Sequence, residues 1–467
     1  MPKSTLAVTV PRRLRAVLLV STAITVGLAP VAEAASLTEA LSSTSTNNPT
    51  ILAERARLRA TDEQVPQALS GWRPTVQITG SYGYQHTDVG DPPFGVAGNT
   101  TQHPRSVDLQ VAQPVYRGGR TAAATSRAEN LVRAERSRAV QTEQQAFLDT
   151  ITAYMNVLRD QALLELSINN EQVLRRQLEA TNDRFRVGEV TRTDVAQAES
   201  RSAQARSDRE TAAGNLEVSR SNYIRVVGEP PGVLTAPAER PALPVNRQEA
   251  IELASTSNPA VMAALFTEAS ARDNVRLVRG ELLPTISIIG DINRGQDQST
   301  SLGNSAVTTG SVIARLTMPL YEGGSVYSRS REAQETVGQR RSEIDDTRRQ
   351  AIDQATQSWE SMTSARARIQ ALRSQIDAAE IALEGVQQEA AVGSRTVLDI
   401  LNAEQELFSA RTQLVQAQRD ELVSEFQLTS AVGRLTVVDL KLPVEIYDVD
   451  KHYNTVRNKW IGFGTVD

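Results

Sequence analysis

The residues with the most suggestive spacing are two acidic ones. Asp194 follows Thr191 by three positions, and Asp399 follows Thr396 by three. Each pair stands just beyond a glycine, Gly188 or Gly393. A threonine at a helix start, with an acid three residues on, can cap that start reciprocally. The chemistry on offer there is charge and hydrogen bonding. Covalent chemistry finds little support elsewhere. Cysteine is absent, and histidine occurs three times, as His86, His103 and His452, so no histidine- or cysteine-rich metal site is expected. The pairs Gly118-Gly119 and Gly323-Gly324 are not followed by a P-loop lysine, and we read them as strand-to-helix turns. No nucleophile–base pair or cofactor motif emerges. An enzyme, a metal and a cofactor are therefore not expected.

The chain has 467 residues, 40% hydrophobic and 4% aromatic, with a net charge of −5. It has too little basic excess for nucleic acid. Residues 1–34 read as a secretory signal. Lys3, Arg12, Arg13 and Arg15 precede an apolar run from Ala16 to Leu28, and Ala32-Glu33-Ala34 supplies the cleavage site. No later stretch is apolar for long enough to be a spanning helix.

The remainder is duplicated. Residues 39–80 answer 249–290 at an offset of 210, with Asn48-Pro49 matching Asn258-Pro259. The offset then becomes 205, where Pro114-Val115-Tyr116-Arg117-Gly118-Gly119 answers Pro319-Leu320-Tyr321-Glu322-Gly323-Gly324. Five extra residues thus fall in a loop of the first copy, between Gly80 and Pro114. Each copy is expected to run from a helical segment (Leu37 to about Leu69, and Gln248 to about Arg279) into two strands and a long helical hairpin.

The strands are expected at about 75–85 and 106–116, and at about 285–293 and 311–321. Val76, Ile78, Tyr82 and Tyr84 share one face, and Gln77, Thr79 and Ser81 the other. Such alternation gives a sheet one apolar and one polar face. Strands of about ten residues can cross a bilayer when tilted. Four cannot close a barrel alone, so several chains would have to share one. A pair of hairpins on a soluble sheet fits the alternation equally well. Polar loops, His86–Gln102 and Arg294–Thr309, join the strands.

Residues 121–182 and 339–384 contain neither proline nor glycine. A helix of some 60 residues would reach about 90 Å, which no compact domain accommodates. Phe147, Ile151, Tyr154 and Leu158 form a coiled-coil seam, and Leu401, Phe408, Val415 and Leu422 step by sevens. Seams show helix pairing and not a channel. The helices should turn at tips near 188–191 and 393–396. The Pro-rich segment 229–245 joins the copies.

On the Asn-Pro helix starts, the paired strand exits with Gly-Gly, and the tip Val392-Gly393-Ser394-Arg395-Thr396-Val397-Leu398-Asp399-Ile400-Leu401-Asn402-Ala403, the chain resembles the TolC family of outer-membrane exit ducts. The resemblance runs from Leu37 to about Leu442. It implies a mostly α, α+β fold: a homotrimer whose chains each give four strands to one outer-membrane barrel, continued by a periplasmic helical tube. It also implies a passive conduit for type I protein secretion or multidrug efflux, with outer-membrane lipid around it. Its partners would be a periplasmic adaptor and an inner-membrane pump, either ABC or proton-driven.

The resemblance further places Asp399 in a pore constriction, with Asn402 where a second acid is usual. Three carboxylates on one axis would attract cations and raise one another's pKa. An N-terminal cap is the other reading of Asp399, and one residue can do both. Arg395 matches a tip latch whose partners would be Thr193 and Asp194. An aromatic partner is missing, because Ala390 stands there.

The resulting division is a leader (1–34), a first repeat (35–245), a second repeat (246–442) and a tail (443–467). The tail looks like those of members grouped with type I secretion. A soluble periplasmic coiled-coil adaptor or scaffold is the competing class; it explains the hairpins and the leader, but not four strands of spanning length.

Overall fold

The structure is a computed structural model that describes residues 36–88, 90, 94, 99–237, 240–297 and 305–464. The leader lies outside the described residues. The first half contains α1 (Leu37–Asn47), α2 (Pro49–Asp62), α3 (Gln64–Leu69), β1 (Thr75–Tyr82), β2 (Gln85–Asp88), β3 (Asn99–Gln102), β4 (Arg105–Arg117), α4 (Arg120–Arg186) and α5 (Arg192–Val227). The second half contains α6 (Arg247–Ser257), α7 (Pro259–Arg279), β5 (Thr285–Gln296), β6 (Ala306–Thr317), α8 (Ser325–Ala391) and α9 (Val397–Ala431), and α10 (Val449–Val456) follows.

Each leading helical segment is broken at its Asn-Pro pair, because proline has no N–H and fits only the first turn of a new helix. The break is used twice in the same way. Asn48 caps α2 by accepting from Thr50 N (2.9 Å), and its amide donates to the Val226 carbonyl at the end of α5 (2.9 Å). Asn258 accepts from Ala260 N (2.9 Å) and donates to the Ala431 carbonyl at the end of α9 (3.0 Å). The start of α2 thus meets the end of α5, and the start of α7 meets the end of α9. A positive helix end meets a negative one at each junction.

The two long helices have 67 residues each, about 100 Å. α8 runs straight through Gly338 and Gly385, the glycines that bound the proline- and glycine-free run 339–384. An interior glycine costs about 1 kcal/mol relative to alanine, and the packing of α8 on α7 and α9 outweighs it. At mid-length Phe147, Ile151 and Tyr154 are fully buried with Tyr223, Phe426 and Leu435. The Tyr154 hydroxyl donates to the Thr235 carbonyl at 2.7 Å, which ties the inter-repeat linker to this core. The linker is held again at Arg240, which with Arg366 pairs with the fully buried Glu425 at 2.7 and 2.6 Å.

The strands form one antiparallel sheet in the order β1-β4-β5-β6, with β1 and β6 at its edges. Ile78 lies opposite Leu109, Leu109 opposite Ile292, and Ile292 opposite Gly310. Gln77 and Asp291 both lie opposite Gln110, and Ser311 opposite Asp291. One face is therefore apolar and the other polar. Ile289, which interrupts the polar face in sequence, lies opposite Ala112 and Ile313, so the break is one small apolar patch.

Two expectations need correction. The segment His86–Gln102 is not all loop: β2 and β3 pair from Gln85↔Gln102 to Asp88↔Asn99, a ladder too polar to stand out as strand. β5 and β6 also extend into the expected second loop, and β6 ends at Thr317 rather than near 321. No helix among the described residues is long and apolar enough to cross a membrane.

Candidate functional site

The two hairpin tips are built alike. The φ of Gly188 and of Gly393 is +81°, a backbone region that a side chain disfavours. Each glycine follows the end of a long helix. Glu189 N donates to the Arg184 carbonyl at 2.9 Å, and Ser394 N to the Glu389 carbonyl at 3.0 Å, a bonding pattern that closes a helix C-terminus. The next helix begins with a reciprocal cap. Thr191 N and Oγ1 donate to the Asp194 carboxylate at 2.9 and 2.7 Å, and Asp194 N donates back at 3.3 Å. Thr396 and Asp399 repeat this at 3.0, 2.9 and 3.3 Å.

The cap determines the charge of Asp399. Hydrogen bonds from the Thr396 backbone and hydroxyl hold its carboxyl below the ordinary aspartate value, and nearby Arg395 adds to this. Within one protomer the direction is opposite to that expected for a ring of three. Asp399 is half-buried and Asn402 exposed. Glu406, also exposed, lies four residues beyond Asn402. The spacing 399, 402 and 406 sets the three on one helix face, so a second carboxylate stands about 10 Å along the axis from the first. Sequence reasoning missed Glu406, although the helical spacing was there to show it.

Arg395 donates from Nε to Glu389 Oε2 at 2.8 Å, across its own turn. Glu389 was also missed: a separation of six residues follows no helical rule and becomes close only because Gly393 reverses the chain. Thr193 is exposed on the other tip. The protomer therefore does not bring Arg395 together with Thr193 or Asp194. The tips meet elsewhere. Arg201 Nη2 on α5 donates to Asn402 Oδ1 on α9 at 3.2 Å, and Leu174, Ala198, Ala205, Val397 and Leu401 bury a shared apolar seam.

At the opposite end of the long helices, Gly119 and Gly324 stand at the N-termini of α4 and α8, each after a strand. Gly118 and Gly119 have φ of +61° and +72°, and Gly323 and Gly324 have φ of +62° and +79°. A Cβ on Gly118 would meet the Gly280 carbonyl oxygen at 2.3 Å, whereas one on Gly323 would meet nothing within 4 Å. Among the described residues no group of histidine, cysteine and acidic side chains could hold a metal.

A spanning-length sheet with one apolar face, carried on paired helices of about 100 Å, defines an outer-membrane duct of the TolC-like kind. The outer membrane efflux protein family model matches residues 40–229 and 250–434, so the chain belongs to that family, whose place is the outer membrane. It is 35% identical over 456 residues to the outer membrane efflux protein BepC of Brucella suis, covering 97% of this chain and 96% of that one. It is 27% identical over 305 residues to the alkaline protease secretion protein AprF of Pseudomonas aeruginosa, covering 64% and 63%. The fold matches the crystal structure of the Campylobacter jejuni CmeC outer membrane channel with a TM-score of 0.77 at 14% identity, over 90% of this chain and 89% of that one.

Proposed function

We propose that the protein is a homotrimeric exit duct, in which three copies of the four-stranded sheet close one twelve-stranded barrel. The observation that carries this is the pair of open edges, β1 and β6. Unpaired backbone groups are not tolerated in lipid, and closing the sheet on other copies satisfies them. The duplication says how. Within the chain, the first repeat's β4 pairs with the second repeat's β5, and Gly118 packs on Gly280. The equivalent partner for β6 is β1 of the next copy, and the open space at Gly323 awaits the next copy's segment around Ser70.

Carrying the β4–β5 register over by the repeat offsets, Gln113↔Ile288 becomes Met318 against Ile78 of the neighbour. The chain has no cysteine of its own. A variant carrying Ile78→Cys and Met318→Cys should therefore cross-link into a trimer on mild oxidation in membranes. Monomer on a non-reducing gel, with each single-cysteine variant equally unlinked, would overturn the register and with it this closure.

The helical portion then forms the periplasmic tube, with Asp399 and Asn402 at its constriction and Glu406 behind them. Arg395, Thr193 and Asp194 serve as the latch between neighbouring copies. Cargo reaches the tips through a periplasmic adaptor from an inner-membrane pump. The likeness to AprF and the form of the tail favour protein cargo, and the greater likeness to BepC favours efflux; a duct without a substrate site of its own can serve both.

A further inference from the structure

We propose that the C-terminal tail is a membrane-interface anchor, which seats Trp460, Ile461 and Phe463 in the periplasmic leaflet of the outer membrane at the foot of the barrel. This rests on the reading that the sheet spans that membrane.

The tail leaves the mid-length core and climbs α4 toward the sheet. Val437 N bonds Glu143 at 3.2 Å, Asp450 pairs with Arg136 at 2.7 Å, and Arg457 pairs with Glu129 at 3.1 Å. Glu143, Arg136 and Glu129 stand seven residues apart on α4, so each step moves the tail about 10 Å nearer the sheet. α10 is fixed on the way. His452 meets the buried Asp62 at 3.0 Å, Val456 is buried, and the Arg136 guanidinium lies over the Tyr453 ring at 5.2 Å.

The climb ends where the strands begin. Arg73 Nη1 donates to the Lys459 carbonyl at 2.8 Å, and its guanidinium covers the Trp460 ring at 5.0 Å. Arg73 is two residues before Thr75, the first residue of β1. The Lys459 ammonium then bonds the Gly464 carbonyl at 3.1 Å, and Gly462 turns the backbone with a φ of +129°. This curls the segment into a short loop with its apolar side chains outward.

Trp460, Ile461 and Phe463 are 65%, 88% and 108% exposed. A segment fastened this thoroughly, with Ile461 and Phe463 bare and Trp460 covered on one face alone, is costly in water. It does not stand alone. Tyr116, paired with Ile286 on the apolar face of the sheet, is exposed at the same end. Tryptophan with basic neighbours such as Arg73 and Lys459 suits the headgroup level, where the ring is half in hydrocarbon and the cations meet phosphate.

The test is spin-label accessibility in the full mature chain, reconstituted in vesicles of phosphatidylethanolamine and phosphatidylglycerol. Phe463→Cys is labelled, with Ile288→Cys as a probe of the sheet's apolar face and Val187→Cys as a probe of the exposed tip. Collision with oxygen, which partitions into lipid, is compared with collision with a water-soluble nickel chelate. An oxygen-to-nickel ratio at 463 several-fold above that at 187, and approaching that at 288, is the expected result. A ratio at 463 equal to that at 187 overturns the anchor. Low collision with both reagents also overturns it, by showing that a neighbouring copy buries the tail. A watery Ile288 would instead sink the spanning sheet itself, so the two failures are distinguishable.

Discussion

If Asp399 stands in the proposed ring of three, one side chain answers two demands. Its carboxylate is held by the Thr396 cap, which keeps it ionised below the ordinary aspartate range. A ring of three would push in the other direction, and the cap would offset that repulsion at its source. Arg395 presents the sharper choice, because among the described residues of the protomer it bonds only across its own turn, to Glu389. If the latch between copies is its working contact, Arg395→Ala raises the conductance of the isolated channel in planar bilayers while Glu389→Gln does so far less. Equal, unchanged conductance in both variants would mean that Arg395 merely finishes its own turn. The caps at both tips were legible because a threonine with an acid three residues on is a local pattern. The Arg201–Asn402 bond was not, because it joins residues 201 positions apart.

Among the elements, the long helices were plain in the sequence, since runs free of proline and glycine with a coiled-coil seam leave few other folds. The short hairpin β2–β3 was hidden by its polar composition, and the helix in the tail by its brevity. Arg240 in the linker gave no local sign either, although it reaches a carboxylate that no solvent touches. Glu425 has Arg240 and Arg366 on one oxygen, and its other oxygen has no partner among the described residues. Removing one partner leaves the other. The double variant Arg240→Ala, Arg366→Ala strands a buried charge and should cost about 3–5 kcal/mol, far more than either single change. Thermal unfolding in detergent checks this; a double effect no larger than the sum of two small single effects would count against it.

On the scale of the whole molecule, the duplication does more than lengthen the chain. In the proposed trimer it also supplies the pairing rule, because the β4–β5 contact inside a chain is then the template for β6 meeting β1 of the next copy. If an inner-membrane pump loads the proposed duct, that pump decides what passes through it. A strain lacking this gene, compared with its parent, should lose specific large proteins from its medium if the duct serves type I secretion. An unchanged secreted proteome, together with new sensitivity to small toxic compounds, would assign it to efflux.

The equal length of α4 and α8 has a consequence for how the protein can evolve. α4, packed on α5, α7 and α9, and α8, packed on α7 and α9, are rods of 67 residues each, and their seams act as a ruler whose marks fall every seven residues. An insertion of one or two residues in a single rod would rotate everything beyond it out of register. Only matched additions of whole heptads, in both rods and in the helices packed along them, leave the seams intact. The distance from membrane to tips is therefore free to change only in steps of about 10 Å, and any partner that docked on those tips would be matched to one step of that scale.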